Sequence, residues 1–320
     1  MEELYFEGPE KKVELVVSPK GPRLRSLGTA WWGSVVAKAD AKILSKVSND
    51  DCDAYLLSES SLFVYDDRVL MFTCGRTTLA KAVVKMLERI PSRRILSLIY
   101  ERKNELFPHY QRSSFYADAA LLDRRLRGRA LRFGPQDEHH VYLFHLRRPY
   151  DPEMRDTTLE ILMHDISPRA RDIFCSGSRH NLSYIQSRTD VREIFPGFQV
   201  DDHLFRPMGY SLNAIRRRQY YTVHVTPEES GSYVSFETNV PLGARAYGDT
   251  LEKVLSIFEP RTFDLVLFQM PARSGVPARL GYSSRGESSE YLGCGYEVRY
   301  QRFHRPQKEP SPAYEVRFRR

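Results

Sequence analysis

The same predicted order of elements, strand, strand, helix and strand, occurs in both halves of the chain, and this order is the strongest constraint on the fold. Alternating apolar residues predict three strands in each half, at residues 54–65, 69–73 and 95–100 and at residues 220–226, 233–238 and 263–269. An amphipathic helix separates the second and third strands, capped by Thr77 or Thr78 and ended by Pro91 in the first half and spanning residues 249–258 in the second. We infer a duplicated architecture without a visible repeat of individual residues.

Further elements are predicted around this repeat. A first strand at residues 12–17 places its apolar residues on one face and Glu14 on the other. An irregular segment at residues 21–34 leads into a helix that ends near Val47. The remaining predictions are a helix at residues 114–126, strands at 130–133 and 141–146, a segment of ambiguous type at 158–164 and a short helix at 191–195. Many antiparallel strands with a few helices indicate an α+β sandwich.

The composition is that of an ordinary globular protein. The 320 residues are 41% hydrophobic and 12% aromatic, which is enough for one large domain or two smaller ones. There is no run of about eighteen apolar residues, and Met1-Glu2-Glu3-Leu4 is acidic without an apolar stretch behind it. We therefore expect a cytoplasmic protein with no membrane partner.

The cysteines and histidines show no metal-binding pattern. The four cysteines are widely separated and form no Cys-x-x-Cys pair: Cys52, Cys74, Cys175 and Cys294. No histidines accompany them at metal-ligand spacing, so we expect no metal site. In a reducing compartment we also expect no disulfide, and any special cysteine is special for its thiol chemistry.

The net charge of +7 raises the question of a nucleic-acid partner. The arginines concentrate at residues 124–132 and 216–218, without the interleaved aromatic residues of a recognisable nucleic-acid motif. We interpret both runs as solvated surface and expect no nucleic-acid partner.

The most unusual short segment is Leu57-Ser58-Glu59-Ser60-Ser61, which is polar and lies between two apolar runs. By itself it indicates a polar bend that joins two short strands. Four other blocks accompany it: Phe6-Glu7-Gly8-Pro9-Glu10-Lys11, Thr73-Cys74-Gly75, Gly209-Tyr210-Ser211-Leu212-Asn213 and His224-Val225-Thr226-Pro227-Glu228. With these five blocks in this order and spacing, the chain resembles the eukaryotic-type S-adenosylmethionine decarboxylases over nearly its whole length.

The resemblance implies a four-layer α/β/β/α sandwich, with two antiparallel sheets face to face and helices on the outer faces. One domain would cover residues 1–305. The tail at residues 306–320 is rich in proline and charge, and we expect it to be partly disordered. Residues 314–318 alternate well enough to add an edge strand.

The resemblance also implies that the chain cleaves itself at the Glu59-Ser60 bond, which gives chains of residues 1–59 and 60–320. A serine hydroxyl can attack the neighbouring carbonyl in an N-to-O acyl shift, because proximity replaces a bimolecular encounter. Elimination of the Glu59 carboxylate and hydrolysis then leave a covalent pyruvoyl group in place of Ser60. In the family this group forms a Schiff base with the substrate and acts as the electron sink, so neither pyridoxal phosphate nor a metal is expected.

Further catalytic roles are implied by the same matches. His224 matches the base that removes the alpha proton during self-processing, and Ser211 matches the residue that hydrogen-bonds the tetrahedral intermediate. Cys74 matches the thiol that returns a proton to the substrate carbon. Glu7 and Glu10 match acidic residues near the reacting centre.

The substrate implied by the resemblance is S-adenosylmethionine. Phe6 and Phe205 match the two rings that sandwich the adenine, and Glu228 matches the carboxylate that accepts both ribose hydroxyls. Leu57 and Glu59 border the site through their backbone. Two aromatic rings and a carboxylate suit a cationic nucleoside.

Animal members of the family also bind the activator putrescine at a buried acidic site. The matching residues here are Glu14, Asp156, Thr158, Glu160, Glu237, Phe268 and Tyr296. Buried acids are costly without a cation, so either a diamine or a fixed basic side chain must balance them. Two positions depart from the animal pattern: Ile99 replaces a stacking phenylalanine, and Phe72 replaces a lysine of the charged network.

Two other functions stay open. A pyruvoyl-dependent decarboxylase of ornithine or arginine would have no use for Phe6, Phe205 and Glu228. An inactive regulatory paralogue would not need the Glu59-Ser60 bond, Cys74 and His224.

The oligomeric state does not follow from the sequence, and a homodimer of processed protomers is one expectation.

Overall fold

The computed structural model describes residues 6–152, 156–175, 181–229, 231–269 and 280–306. No helix within these ranges has the length and apolar character needed to cross a membrane. Residues 307–320, with the predicted disorder and the predicted edge strand at 314–318, lie outside the described residues.

The first half of the chain forms one antiparallel sheet of eight strands. They are β1 (Lys11–Val17), β2 (Ile43–Ser48), β3 (Cys52–Leu57), β4 (Ser60–Tyr65), β5 (Arg68–Thr73), β6 (Ile95–Lys103), β7 (Gly128–Phe133) and β8 (Val141–Leu146). Their order across the sheet is β2-β3-β4-β5-β1-β6-β8-β7. The first strand of the chain therefore lies in the middle of the sheet.

The second half forms a second eight-stranded antiparallel sheet. Its strands are β9 (Thr158–His164), β10 (Gln199–Leu204), β11 (Tyr210–Arg216), β12 (Gln219–Thr226), β13 (Tyr233–Thr238), β14 (Thr262–Phe268), β15 (Ser283–Tyr291) and β16 (Glu297–His304). Their order, β10-β11-β12-β13-β9-β14-β16-β15, is that of the first sheet with eight added to each strand number. The predicted duplication of architecture is confirmed, and the segment of ambiguous type is the central strand β9.

Within the described residues, six α-helices cover the outer faces of the sheets. They are α1 (Gly28–Lys38), α2 (Leu79–Met86), α3 (Phe115–Leu126), α4 (Pro168–Ile173), α5 (Leu182–Arg188) and α6 (Ala244–Phe258). The first three share a buried apolar core with the first sheet, and the last three share one with the second sheet. The predicted four-layer α/β/β/α sandwich is confirmed.

The layer between the two sheets is partly polar, so charged and reactive side chains can lie there. Strand β1 alternates: Val13, Leu15 and Val17 belong to the core beneath the helices, whereas the ammonium of Lys12 contacts Glu160 of the opposite sheet. Two smaller apolar clusters also lie in this layer. The buried charges are thereby shielded from water on several sides.

The predicted helix that ends near Val47 is wrong. Helix α1 ends at Lys38, and Ile43–Ser48 form the edge strand β2. Asp40 has a φ of 63°, a left-handed conformation through which an α-helix does not continue. Burial then alternates along β2, because only one face of this edge strand contacts the protein.

Smaller differences concern element boundaries. The strand predicted at residues 54–65 is two strands, β3 and β4, joined by a turn at Ser58 and Glu59. The short helix predicted at 191–195 is a 3-10 turn at Val191–Glu193. The polar pentad is therefore the predicted bend between two strands.

Candidate active site

Ser60 occupies a strained position at the start of β4. Its φ is 137°, a region that non-glycine residues rarely adopt and that costs roughly 1–3 kcal/mol. The side chain is buried, and among the described residues its Oγ has no hydrogen-bond partner. A strained serine with a free buried hydroxyl is unusual in a packed sheet, because buried polar groups are normally hydrogen-bonded.

The carbonyl of Glu59, next to this hydroxyl, accepts two hydrogen bonds from Cys74. The backbone N–H of Cys74 donates to the Glu59 oxygen at 2.9 Å, and the thiol donates to it at 3.2 Å. Pairing of β4 with β5 sets Ser60 opposite Thr73, which brings Cys74 to this carbonyl. Two donors on one carbonyl are the arrangement that stabilises a developing oxyanion.

Cys74 is held as a neutral thiol. Burial raises its pKa well above the ordinary value of 9.0, and the nearby carboxylates of Glu59 and Glu10 raise it further. A thiol in this state donates a proton more readily than it attacks as a thiolate.

His224 belongs to a buried polar network that faces Ser60 from the second sheet. Its Nδ1 lies 2.9 Å from the Ser211 hydroxyl, its neighbour across the pair β11 and β12. Its Nε2 lies 2.8 Å from the Thr222 hydroxyl and 3.2 Å from that of Ser61. Burial lowers the pKa of His224 to about 3, so the imidazole is neutral and able to accept a proton.

Sequence reasoning missed three members of this network, namely Ser61, Asn213 and Thr222. The Ser61 hydroxyl donates to the Asn213 carbonyl oxygen at 2.5 Å. Strand alternation could have identified two of them, because Asn213 lies two residues beyond Ser211 and Thr222 lies two residues before His224. Residues two apart on a strand share a face, so a polar pair at that spacing marks the same layer.

Most of the predicted catalytic and substrate-binding residues line a single cavity of about 340 Å³. Among its lining residues are Phe6, Glu59, Ser60, Cys74, Phe205, Ser211, His224 and Glu228. This volume is within the range of small-molecule sites. The fold therefore brings together residues that are more than two hundred positions apart in the sequence.

The outer part of the cavity is formed by Phe6, Phe205 and Glu228. The Phe6 backbone N–H donates to Glu228 Oε1 at 3.2 Å, which ties the amino-terminal segment to the end of β12. Gly75 has a φ of 62°, and a Cβ atom there would lie 3.0 Å from the Phe6 ring. Glycine at position 75 thus leaves the space that this ring occupies.

Three of the predicted catalytic and substrate-binding residues lie outside the lining of this cavity, namely Glu7, Glu10 and Leu57. The Glu7 carboxylate accepts the backbone N–H groups of Leu106 at 2.9 Å and Phe107 at 2.8 Å, so it anchors the loop after β6. Leu57 is fully buried in the core beneath the helices of the first sheet.

Glu10 lies behind the cavity, with its Oε1 4.0 Å from His224 Nε2. Burial raises the pKa of Glu10 from 4.5 to about 7, and the nearby Ser235 side chain and the ammonium groups of Lys103 and Lys12 only partly offset this. The folded protein retains the Glu10 proton at a pH where the unfolded chain has released it. The protonated Glu10 therefore contributes its full share to the free energy of unfolding below pH 4.5, and this contribution is lost as the pH rises to about 7.

Glu10→Gln is therefore expected to remove about 3 kcal/mol of pH dependence from the free energy of unfolding, since an amide does not ionise. Urea unfolding of the variant and its parent, both carrying Ser60→Ala so that one chain unfolds, measures the difference between pH 4.5 and about pH 7. The same change at exposed Glu88 is the control. Equal pH dependence with Gln and Glu at position 10 would contradict the assignment.

A second set of charges lies beyond Glu10, and we call it the acid cluster. Its members are buried except for the half-buried Arg68 and Asp156: Glu14, Glu101, Asp156, Glu160, Glu237, Lys12, Arg68 and Lys103. Glu160 of β9 lies directly opposite Glu237 of β13. Two like charges at paired positions repel each other unless a cation lies between them. The ammonium of Lys12 supplies it, at 2.8 Å from Glu160 and 2.9 Å from Glu237.

The other cations of the acid cluster are Lys103 and Arg68. Lys103 contacts Glu160 at 2.5 Å and Glu101 at 3.0 Å. Arg68 contacts both oxygens of Asp156 at 2.6 Å and Glu14 at 3.0 Å. Burial raises the pKa of Glu160, but Lys103 and Lys12 outweigh it and hold that pKa well below the ordinary value.

The residues matched to the putrescine site surround these cations. Tyr296 donates its hydroxyl to Asp156 at 2.6 Å, and the Phe268 ring lies 5.3 Å from the Lys12 ammonium. Thr158 is buried and pairs with Phe268 across β9 and β14. Lys12 lies opposite Phe72 in the pairing of β1 with β5. Position 72 has no positive charge in this chain, and the neighbouring strand supplies one through Lys12.

Over residues 3–304 the chain matches the sequence profile of a family described as adenosylmethionine decarboxylase. A Leishmania donovani protein named S-adenosylmethionine decarboxylase proenzyme is 34% identical over 328 residues, which cover 97% of this chain and 84% of that protein. A Xenopus laevis protein of the same name is 34% identical over 280 residues, which cover 82% of this chain and 83% of that protein.

A solved structure is also similar. It is the crystal structure of the Trypanosoma brucei AdoMetDC-delta26 monomer, which aligns with a TM-score of 0.60 and 25% identity. The alignment covers 77% of this chain and 99% of that chain.

Proposed function

Because the chain belongs to the adenosylmethionine decarboxylase family, whose members are lyases, we propose that it decarboxylates S-adenosylmethionine with a pyruvoyl group made from Ser60. One observation carries the proposal: the unpartnered Ser60 hydroxyl adjoins a carbonyl that already accepts two hydrogen bonds from Cys74. When formed, the pyruvoyl group supplies the electron sink for the departing carbon dioxide.

The first step of self-processing uses the strained turn. Ser60 Oγ attacks the Glu59 carbonyl carbon, a C–O bond forms, and the Glu59-Ser60 C–N bond breaks to leave an ester and a free Ser60 amine. The negative charge that develops on the Glu59 oxygen is stabilised by the N–H and the thiol of Cys74. Relief of the backbone strain at Ser60 favours the same direction.

The second step needs a base. Neutral His224 takes the alpha proton of Ser60, the electrons form a carbon–carbon double bond, and the Glu59 carboxylate leaves with the ester oxygen. Tautomerisation and attack by water then release ammonia and leave the ketone. Ser211 holds the imidazole by its Nδ1 atom, so that the ring has a fixed direction.

His224→Ala is expected to stop processing at the ester, because the acyl shift precedes the step that needs a base. Hydroxylamine cleaves esters but not amides, so it should split the variant into residues 1–59 and 60–320, with a hydroxamate on Glu59. Intact mass with and without hydroxylamine measures this. Complete spontaneous cleavage of the variant would contradict the role of His224 as the base.

For the substrate, we propose that Phe6 and Phe205 hold the adenine and that Glu228 accepts the ribose hydroxyls. All three residues line the cavity that also contains Ser60. Burial raises the pKa of Glu228, and the Phe6 N–H partly offsets that effect. We also propose that the neutral Cys74 thiol returns the proton to the substrate carbon after decarboxylation.

Glu228→Gln is expected to raise the KM for S-adenosylmethionine about tenfold or more, since charge-assisted hydrogen bonds to hydroxyls contribute about 1.5–3 kcal/mol. Cleavage at Glu59-Ser60 should be as complete as in the parent, because no step of processing uses this carboxylate. Initial rates at varied substrate concentration, with intact mass as the control, measure the two effects separately. An unchanged KM would remove Glu228 from the substrate site.

Release of labelled carbon dioxide from the carboxyl group of S-adenosylmethionine tests the function as a whole. Ornithine and arginine, labelled in the same position, are the competing substrates. Turnover of S-adenosylmethionine alone supports the proposal, and preferential turnover of either amino acid would overturn it.

For the acid cluster, we propose that Lys12 provides the positive charge that a diamine would otherwise bring. The sequence left a diamine and a fixed basic side chain as alternatives, and the contacts of Lys12 with Glu160 and Glu237 support the second. Putrescine should therefore stimulate the native protein only weakly.

Three further expectations remain predictions: a single domain at residues 1–305, a cytoplasmic location and a homodimer of processed protomers. Sedimentation of the processed protein at several concentrations would determine its oligomeric state.

A further inference from the structure

A second group of buried titratable side chains lies apart from the cavity that contains Ser60. His139 Nδ1 lies 3.8 Å and His164 Nε2 lies 3.7 Å from the same Asp264 carboxylate oxygen. The ligand atoms of all three residues lie within 4.8 Å of one another. We propose that His139, His164 and Asp264 form a binding site for a divalent transition-metal ion such as Zn²⁺, and we call them the His-His-Asp group.

The donor set suits such an ion. Two imidazole nitrogens and one carboxylate oxygen are ligands that zinc accepts, and three protein ligands leave one coordination position open. Ligand atoms bound tetrahedrally at about 2.0–2.1 Å lie about 3.4 Å apart. The two distances to Asp264 therefore need to shorten by a few tenths of an ångström, and the two histidine nitrogens, which lie within 4.8 Å of each other, need to approach by up to about 1.4 Å.

The one ligand on a loop provides the movement that this contraction needs. His139 lies between β7 and β8, and its ring is partly exposed and stacks on the His164 ring at 3.7 Å. His164 and Asp264 lie on the paired strands β9 and β14, where the backbone is fixed by the sheet. Tyr300 donates its hydroxyl to the His139 carbonyl at 2.8 Å and so keeps the loop beside them.

Asp264 lacks a close lysine or arginine partner within the described ranges, although four arginines line the adjoining cavity, namely Arg261, Arg285, Arg302 and Arg305. Asp264 is 3% exposed, and among the described residues no lysine or arginine nitrogen lies within 4 Å of its carboxylate. A buried carboxylate without a close cation is costly.

The position in the fold suggests a structural effect and solvent access. His139 comes from the loop that joins β7 and β8 of the first sheet, whereas His164 and Asp264 come from strands of the second, so a bound ion would join the two halves of the sandwich. His139 and Asp264 also line an open cavity of about 510 Å³, through which an ion and a water ligand can enter. An ion that binds only the folded state stabilises it by mass action.

The test is metal binding to the processed protein after removal of metals with a chelator. Calorimetric titration with Zn²⁺, and the visible absorption of Co²⁺ as a spectroscopic probe, should both reveal a site that Asp264→Asn and His139→Gln weaken at least tenfold. His304→Gln is the matched control, because His304 lines the same cavity but does not belong to the group. The control should bind as tightly as the native protein.

Thermal unfolding gives a second readout that does not depend on activity. Added Zn²⁺ should raise the unfolding temperature of the native protein and of His304→Gln, and should raise it much less in His139→Gln, whose altered side chain is on a loop and leaves both strands intact. Absence of Zn²⁺ and Co²⁺ binding in the native protein would overturn the proposal. Equal binding by His139→Gln and His304→Gln would overturn it as well.

Discussion

Replacing Ser60 with alanine is expected to leave one uncut chain of 320 residues whose decarboxylase activity is at the background of the assay. The methyl group of alanine has no nucleophilic oxygen, so the Glu59-Ser60 bond cannot undergo the acyl shift. The two hydrogen bonds from Cys74 to the Glu59 carbonyl remain, because both donors belong to another strand. The variant thus separates the nucleophile from the oxyanion stabilisation.

Denatured intact mass measures this result directly. The native protein should give two species, residues 1–59 and residues 60–320 with a blocked amino terminus, and Ser60→Ala should give one. Ser58→Ala is the matched control, since Ser58 lies in the same turn and its hydroxyl accepts the Lys42 N–H instead of adjoining the Glu59 carbonyl. Cleavage of the Ser60→Ala chain would show that Ser60 is not the nucleophile. Loss of cleavage in Ser58→Ala but not in Ser60→Ala would assign that role to Ser58.

Replacing Lys12 with methionine is expected to destabilise the protein by about 3–5 kcal/mol, the usual cost of leaving a buried charge without its partner. Methionine keeps the length of the side chain but removes the ammonium between Glu160 and Glu237. These two carboxylates lie opposite each other on β9 and β13, so their repulsion returns when the cation is lost. Putrescine should restore stability and activity to this variant, because it brings a cation of the right size.

Denaturant unfolding and decarboxylation rates, each with and without putrescine, measure the two effects. Lys12→Arg keeps the positive charge and should remain close to the native protein in its response to putrescine. Lys81→Met is the surface control, and its effect should be within about 0.5 kcal/mol because Lys81 is exposed. The proposal fails if the native protein responds to putrescine as strongly as Lys12→Met does.

The two predictions concern two sites that the fold connects. Glu10 immediately precedes β1, and its carbonyl accepts the backbone N–H of Lys103 at 2.9 Å. Lys12, two residues further along β1, lies in the acid cluster. Charge added or removed in the acid cluster acts on the pKa of Glu10, which Lys103 and Lys12 lower and Glu160 raises. Removing the charge of Lys12 is therefore expected to raise the pKa of Glu10, which lies beside His224.

The acid cluster also shows what sequence matching left undecided. The family resemblance implied that Phe72 replaces a lysine, which predicted the loss of an internal cation. Strand pairing sets Lys12 beside Phe72, with the ammonium 5.8 Å from the ring, so the positive charge is retained in space by a different residue. That Lys12 lies beside Phe72 follows only from the register between β1 and β5.

From the sequence alone we predict the repeated order of strands and helices and the bend at Ser58-Glu59, and from the family resemblance eight of the residues that line the Ser60 cavity. Alternation and helical periodicity report which face of each element is buried, and five blocks in order identify a family. The contacts of the individual side chains are visible only in the tertiary structure. These include the Cys74 donors to Glu59, the His224 network with Thr222 and Ser61, and the meeting of His139, His164 and Asp264. Such contacts depend on strand register and on the stacking of two sheets, and neither leaves a local pattern in the chain.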